Sequence, residues 1–365
     1  MVPLFAPIRQ NEPLMGEIQA KIAEVLKSGE YVLGKEVAAF EESLGQRLGY
    51  KFAVGCASGT EALVLALRAI GIQPGDEVIT PAFSFVASTN SIVWAGGKPA
   101  FADVDLETAN VTVETVERAW NPRVRAVIAV DLYGRQAPIA ELRKWCDRKS
   151  LYLIEDGAQS IGVPNLKAHL YTTSFYPTKN MGAVGDAGAV LSDDGELATR
   201  VREMTRHGGM LRDHYIRVGT TGRLDTIQAA ILNIKLPHLE NWTKLHRTIA
   251  GAYTSKLKPL EDAGKVWLPK APADPLSHVW ALYTVRVPGD RQKFLDALKA
   301  KGVGAAVYYP KIIPRQPVFS ATGDFPGADR LAREVVSLPF FAELKSQELE
   351  FVVKAVGECL PRPSM

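Results

Sequence analysis

An alternation of short apolar runs with amphipathic helical segments, sustained from Phe52 to Asp156, constrains this fold more than any other feature. Phe52-Ala-Val-Gly55, Asp76–Thr80, Pro99–Val104, Ala126–Asp131 and Tyr152–Asp156 have the length and composition of buried strands. Glu61–Ile70, Phe85–Ala95 and Pro138–Lys149 between them have helical periodicity. Two further helices are expected upstream, at 16–28, where Ile18, Ile22, Val25 and Leu26 share a face, and at Glu36–Leu48. Strands separated by helices pair in parallel, because the return path runs through the helix. Both sheet faces are then covered, which makes the fold α/β with a mostly parallel sheet. Ligands of such sheets bind beyond the carboxyl ends of the strands. That rule selects Ser58-Gly59-Thr60, Pro81–Phe85, Asp131–Gly134 and Asp156–Gln159 for attention.

The pattern changes further on. Arg223–Lys235 is strongly helical, and Pro237 interrupts it before a long helix at about 239–256. Strands are expected at Val279–Val287 and Ala305–Tyr309, with helices at Asp290–Lys301 and Glu348–Cys359. We expect a large α/β domain over 1–238 and a smaller α+β C-terminal domain over 239–365.

Composition excludes several functions. A net charge of +3 over 365 residues, without a basic run, gives no footprint for nucleic acid. The start has no basic stretch leading into an apolar segment, and no apolar run approaches bilayer length, so a cytoplasmic location without membrane contact is expected. Cys56, Cys146 and Cys359 are too scattered for a disulfide framework or a metal cluster, and Cys56 has the character of a small core residue.

The chemistry centres on Lys179, in Ser174-Phe-Tyr-Pro-Thr-Lys179-Asn-Met-Gly. A lysine with a buried stem and a free amine can form a Schiff base with an aldehyde, which suits pyridoxal 5′-phosphate (PLP). Such a cofactor needs a phosphate cradle, a partner for its ring nitrogen and a stacking surface. Ser58-Gly59-Thr60 lies at a strand-to-helix turn, where backbone N–H groups and the helix dipole favour a phosphate. There Gly59 permits close approach, and Thr60 can cap the helix and donate its hydroxyl; an ordinary N-cap has the same pattern. Asp156 ends a buried strand and can keep a ring nitrogen protonated, although an Asp there can equally be a cap. Glu155 should face the other way by strand alternation. Gln159 can reach a ring hydroxyl, Phe85 can stack on the ring or serve as a core aromatic, and Ser174 can donate to phosphate or stay in a turn.

The order of these elements resembles the DegT/DnrJ/StrS family of PLP-dependent nucleotide-sugar aminotransferases, of PLP transferase fold type I. The resemblance spans nearly the whole chain. It includes Gly29–Gly34, Ser58-Gly-Thr-Glu-Ala-Leu63, Gly75–Pro81, Phe83–Ala87, Leu132-Tyr-Gly134 and Ile154-Glu-Asp-Gly-Ala-Gln159. It continues through Ser174–Asn180, Arg206-His-Gly208, Arg223–Ala230, Val307-Tyr-Tyr-Pro310 and Ser337-Leu-Pro339. It implies that Lys179 anchors the cofactor and then shuttles the proton. Asp156 would pair with the ring nitrogen, Gln159 would contact the ring hydroxyl and Phe85 would stack. Gly59, Thr60 and Ser174 would hold the phosphate, with Ser58 in the same turn. It further implies pyridoxamine phosphate as the alternate cofactor form, a homodimer with interfacial active sites, an amino donor such as glutamate, and a nucleotide-linked keto sugar as acceptor.

Three departures from the family pattern stand out. Thr221, in Gly219-Thr-Thr221-Gly-Arg223, occupies the place of an Asn that relatives lend to the phosphate of the other subunit. The segment between Gln159 and Ser174 is short, and Lys311-Ile-Ile-Pro314 replaces a Pro-Leu-His run. Lys311 or Arg315 could meet a substrate diphosphate, and His207 suits a structural or substrate-side place better than that of a general base. Two alternatives accompany the aminotransferase reading. One is a sugar dehydratase of the same fold, whose members carry histidine in place of the anchoring lysine. The other is a non-catalytic regulatory relative, expected to lose Asp156 or Lys179.

Overall fold

A computed structural model describes residues 1–360 of the chain. Seven strands build the large sheet: β1 Phe52–Cys56, β2 Glu77–Pro81, β3 Lys98–Ala102, β4 Val124–Val130, β5 Tyr152–Asp156, β6 Leu170–Ser174 and β7 Gly188–Ser192. Their spatial order is β1-β7-β6-β5-β4-β2-β3. The pairs from β3 to β6 are parallel, and β7 runs antiparallel to both β1 and β6. Apolar side chains fill both faces, so strands such as β4 and β5 are buried along most of their length.

The expected helices over the first 160 residues are all present, within two or three residues at their ends. Strands β6 and β7 were not anticipated. Leu-Tyr-Thr-Thr-Ser174 and Gly-Ala-Val-Leu-Ser192 are short and rich in small or polar residues, and their strand state comes from pairing with β5 and with each other. Downstream, the helix expected from Arg223 begins at Thr226, because Arg223 is held in a bridge with Cys56. The strand expected at Val279–Val287 narrows to β8 Tyr283–Arg286, which pairs with β9 Val335–Leu338. The strand expected at Ala305–Tyr309 is not one. Only Ala306 bridges Ser337, and the two tyrosines turn into an aromatic cluster.

A second core surrounds β8 and β9, packed by Leu239–Asp262, Arg291–Ala300 and Ser346–Cys359. Val2 and Ala6 belong to this core, and Arg9 holds Glu348 through two 2.7 Å hydrogen bonds, so the N-terminus is tied to the C-terminal body. Conversely, Ile312 and Phe325 to Val335 contribute to the core of the large sheet. Among the described residues, no helix is long and apolar enough to cross a membrane.

Candidate active site

The register of the sheet gathers the selected residues. Gly188, at the start of β7, lies opposite Cys56 on one side and Ser174 on the other, while Asp156 pairs with Val130 and Thr172. The ends of β1, β4, β5 and β6 thus share one rim of the sheet.

At the end of β1 the chain turns at Ser58 into the helix Gly59–Ala69. Ser58, not Thr60, is the N-cap: its side chain accepts from the Glu61 N–H at 3.1 Å. Extended backbone at Ser58 aims its hydroxyl at that amide, whereas Thr60 already lies in the first turn. The N–H groups of Gly59 and Thr60 have no protein acceptor among the described residues, as expected of a helix start. Two glycines let this turn sit close to its neighbours. A Cβ on Gly59 would lie 2.5 Å from Ser174 Cβ, and one on Gly188 would lie 2.4 Å from the carbonyl carbon of Ser58. Ser58, Gly59 and Ser174 therefore border one small space, with Ser174 Oγ accepting from the Tyr176 N–H at 3.3 Å. Cys56 beneath them is buried, its thiol bonded to the Ser58 carbonyl at 3.4 Å and pushed up in pKa by burial.

Asp156 is buried, and its Oδ2 accepts from Ser88 Oγ at 2.8 Å while Oδ1 accepts from the Ala158 N–H at 3.2 Å. Burial raises its pKa; Ser88, the Ala158 amide and the charge of Lys179 oppose that rise. Lys179 is partly accessible along its length, but surrounding protein desolvates its ammonium and lowers its pKa, with Asp156 acting in the opposite sense. The two charges are therefore neighbours in a poorly solvated place. Glu155 points to the opposite face, where its Oε1 accepts from Gln136 Nε2 at 2.7 Å.

Gln159 is oriented by its neighbours. Its Oε1 accepts from the Tyr133 N–H at 2.7 Å, and its side chain opposes the pKa rise that burial gives the Tyr309 hydroxyl. Tyr133 has a left-handed backbone (φ +60°), which turns its N–H toward Gln159, and its hydroxyl donates to the Tyr308 carbonyl. Phe85 is 54% exposed, unlike a core aromatic, and its ring lies 6.0 Å from that of Tyr309 at a tilt of 33°. Thr221 stands apart in a different manner. It is exposed, 3.3 Å from Nε2 of the exposed His207, on a segment that runs beside the Ser58–Thr60 turn. In that segment Thr220 donates to Glu61 at 2.8 Å, and the Gly222 carbonyl accepts from the Ala57 N–H at 3.0 Å. Arg315 is already committed: it donates to the carbonyls of Ala321 and Gly323 and lies over Phe325, so it is ill placed to meet a diphosphate.

Ser88, Tyr133 and Tyr309 lie at the candidate site, and sequence reasoning did not assign them. Tyr133 and Tyr309 lie within recognised motifs. Ser88 had a weaker signal: it sits three residues after Phe85, in the first turn of the helix Ala87–Trp94, and reaches Asp156 at the end of β5. The residues fit a phosphorylated pyridine aldehyde on three counts: donors and glycines at a helix start, a buried carboxylate held by two donors, and a desolvated lysine beside it.

A family model for DegT/DnrJ/EryC1/StrS aminotransferases matches residues 13–357. The chain is 38% identical over 367 residues to a protein of Geobacillus stearothermophilus named as a pleiotropic regulatory protein, covering 98% of each. It is 38% identical to UDP-2-acetamido-2-deoxy-3-oxo-D-glucuronate aminotransferase of Pseudomonas aeruginosa, over 95% of this chain and 97% of the relative. A solved structure of NtdA from Bacillus subtilis with bound cofactor PMP superposes with a TM-score of 0.93 at 29% identity, covering 98% of this chain and 85% of that one. With a match of this extent, the chain belongs to the DegT/DnrJ/EryC1/StrS aminotransferase family.

Proposed function

We propose that this enzyme transfers an amino group from an amino acid, glutamate in the first instance, to the keto carbon of a nucleotide-linked sugar, with PLP as cofactor. The observation that carries the proposal is the Asp156–Lys179 pair beside a glycine-lined helix start. When bound, PLP supplies an electron sink that makes the carbon next to the amine acidic. Asp156, ionised through Ser88 and the Ala158 amide, would hold the proton on the ring nitrogen. Desolvation favours the neutral amine of Lys179, so its Nζ would take the proton leaving the donor's α-carbon and return it elsewhere. Gly59, Thr60, Ser58 and Ser174 would hold the phosphate, Gln159 the ring hydroxyl and Phe85 the ring face, while the Tyr133 N–H keeps Gln159 in place and Tyr309 packs beside Phe85.

The Pseudomonas relative acts on a 3-oxo sugar by its name, which supports carbon 3 as the site of amination. The retained Lys179 opposes the dehydratase alternative, and Lys179 with Asp156 together oppose a purely regulatory one, the name of the Geobacillus relative notwithstanding. We propose a homodimer in which Thr221 faces the partner's phosphate. Its support is the exposed apolar run of Met210, Leu211, Tyr215, Ile216 and Val218 nearby. A cytoplasmic location and a division into domains 1–238 and 239–365 complete the proposal; two cores around the two sheets support two bodies, with Val2 and Ala6 crossing into the second core and Ile312 and Phe325 to Val335 into the first.

The test has two arms. Borohydride reduction of the PLP-loaded protein should leave the cofactor on Lys179, and Lys179→Ala should carry no adduct. Glutamate with UDP- and dTDP-linked 3-keto and 4-keto sugars should yield an amino sugar from a 3-keto acceptor. Cofactor trapped elsewhere, or no acceptor turned over, would overturn the proposal.

A further inference from the structure

Lys235 is a second buried lysine that the chemistry above does not use. It ends the helix Thr226–Lys235 and is only 1% exposed. Among the described residues, no carboxylate lies within salt-bridge distance of it. Its ammonium donates instead to two neutral oxygens, Asn11 Oδ1 at 2.7 Å and the Gly182 carbonyl, and lies 5.7 Å from the ring centre of Trp242. Burial lowers its pKa to about 8, and Glu343 opposes that shift from a distance. A buried cation held by neutral oxygens is costly, so its place calls for a reason beyond packing.

The oxygen it holds belongs to the loop that carries Lys179. That loop is tightly folded: Lys179 N–H donates to the Tyr176 carbonyl at 2.8 Å, and Ala183 N–H to the Phe175 carbonyl at 2.7 Å. A Cβ on Gly182 would lie 2.4 Å from the Pro177 carbonyl oxygen, so the two ends of the loop touch. The N-terminal helix Pro7–Asn11 grips the same loop twice. Gln10 Nε2 donates to the Asn180 carbonyl at 3.0 Å, and Asn11 reaches the Gly182 carbonyl through Lys235.

We propose that Lys235 is a positioning residue for Lys179: its buried ammonium clamps the Gly182 carbonyl and Asn11 together, fixing the reactive lysine beside Asp156. The inference rests on Lys179 being the reactive amine. A charge-assisted donor suits this task, since it holds a carbonyl more firmly than a neutral one. Fixing the amine within a fraction of an ångström matters because proton transfer is steep in distance. The clamp also makes the N-terminal segment part of the active-site support, although it lies far from Lys179 in sequence.

The experiment compares wild type, Lys235→Met and Asn11→Leu by hydrogen exchange on the cofactor-free protein, followed by kinetics on the loaded enzyme. For Lys235→Met we expect amides 178–183 to exchange at least about 10-fold faster, with β4 amides unchanged. We expect kcat to fall about 10- to 100-fold with acceptor KM within about two-fold, as for a loss made only at the reacting centre. Asn11→Leu removes one partner of the clamp on a less buried residue, and should raise exchange in the same peptide by a smaller factor. Unchanged exchange at 178–183 in Asn11→Leu, or exchange in Lys235→Met that rises equally across the sheet, would overturn the clamp. Cofactor trapped on a residue other than Lys179 would instead remove the reading on which it rests, so the two failures are distinguishable.

Discussion

Ser88→Ala tests the electrostatics of the site more directly than replacing Asp156 itself. The serine hydroxyl lies 2.8 Å from Asp156 Oδ2, is 1% exposed, and opposes the burial that would otherwise neutralise the carboxylate. A hydrogen bond to a charged group contributes about 1.5–3 kcal/mol, and because Asp156 is buried, solvent offers little compensation. That range corresponds to about 10- to 150-fold in an equilibrium or rate that needs the anion. Only the Ala158 amide would remain as a hydrogen-bond donor, so the pKa of Asp156 should rise further and the acid limb of kcat/KM should move to higher pH. Equilibrium dialysis of PLP and a pH–rate profile measure both effects. Ser91→Ala is the control, since Ser91 Oγ donates to the Ser88 carbonyl at 2.9 Å rather than to Asp156. If Ser88→Ala binds PLP within two-fold of wild type and its acid limb does not move, Asp156 is not held as an anion by this contact, and the ring-nitrogen argument fails with it.

Gly59→Ala should weaken PLP binding by at least about 10-fold while the sheet stays folded, because its Cβ would lie 2.5 Å from Ser174 Cβ and push the cradle apart; dialysis and thermal melting separate the two effects. A third prediction concerns Asp131 and Glu155, which are both fully buried, the charge of Glu155 adding to the burial that raises the pKa of Asp131. Ser160 and the Ala137 amide donate to Asp131, and Gln136 donates to Glu155, whose pKa burial lifts to about 7. A carboxyl with a raised pKa binds its proton more tightly when folded, so the contribution of Glu155 to stability is fully present below its unfolded value near 4.5 and is lost as pH rises through about 7. Urea unfolding between pH 5 and 8 should therefore show falling stability, and Asp131→Asn should flatten that slope; an identical slope in the variant would contradict the coupling of the two carboxyls. Glu348, held well below the ordinary range by Arg9 to about 2, should stay ionised throughout that window and leave the slope untouched.

Much of the site was legible because each element answers to a local rule. The Ser58–Thr60 turn follows from a strand, a glycine and a helix in sequence, and Asp156 follows from a strand end whose alternation sends Glu155 to the other face. The tyrosine pair at 308–309 was misjudged for the complementary reason. Ala-Ala-Val-Tyr-Tyr309 has strand propensity, but Tyr309 is drawn to Phe83 and Phe85, contacts no local rule foresees. Arg315 illustrates the same limit, since its guanidinium is taken up by carbonyls six and eight residues away.

The sequence alone determined the alternating strand–helix order, the parallel sheet, the functional rim and the identity of Lys179 as the candidate reactive amine, because periodicity and turn chemistry act over a few residues. Only the tertiary structure decided which groups surround that amine. The antiparallel insertion of β7 brings Gly188 against Ser58, the helix after Phe85 places Ser88 on Asp156, and the N-terminal segment brings Asn11 to Lys235 beneath the lysine loop. These are contacts across tens to hundreds of residues, and they exist because burial leaves polar groups no water to bind, so each must find its partner in the packed chain.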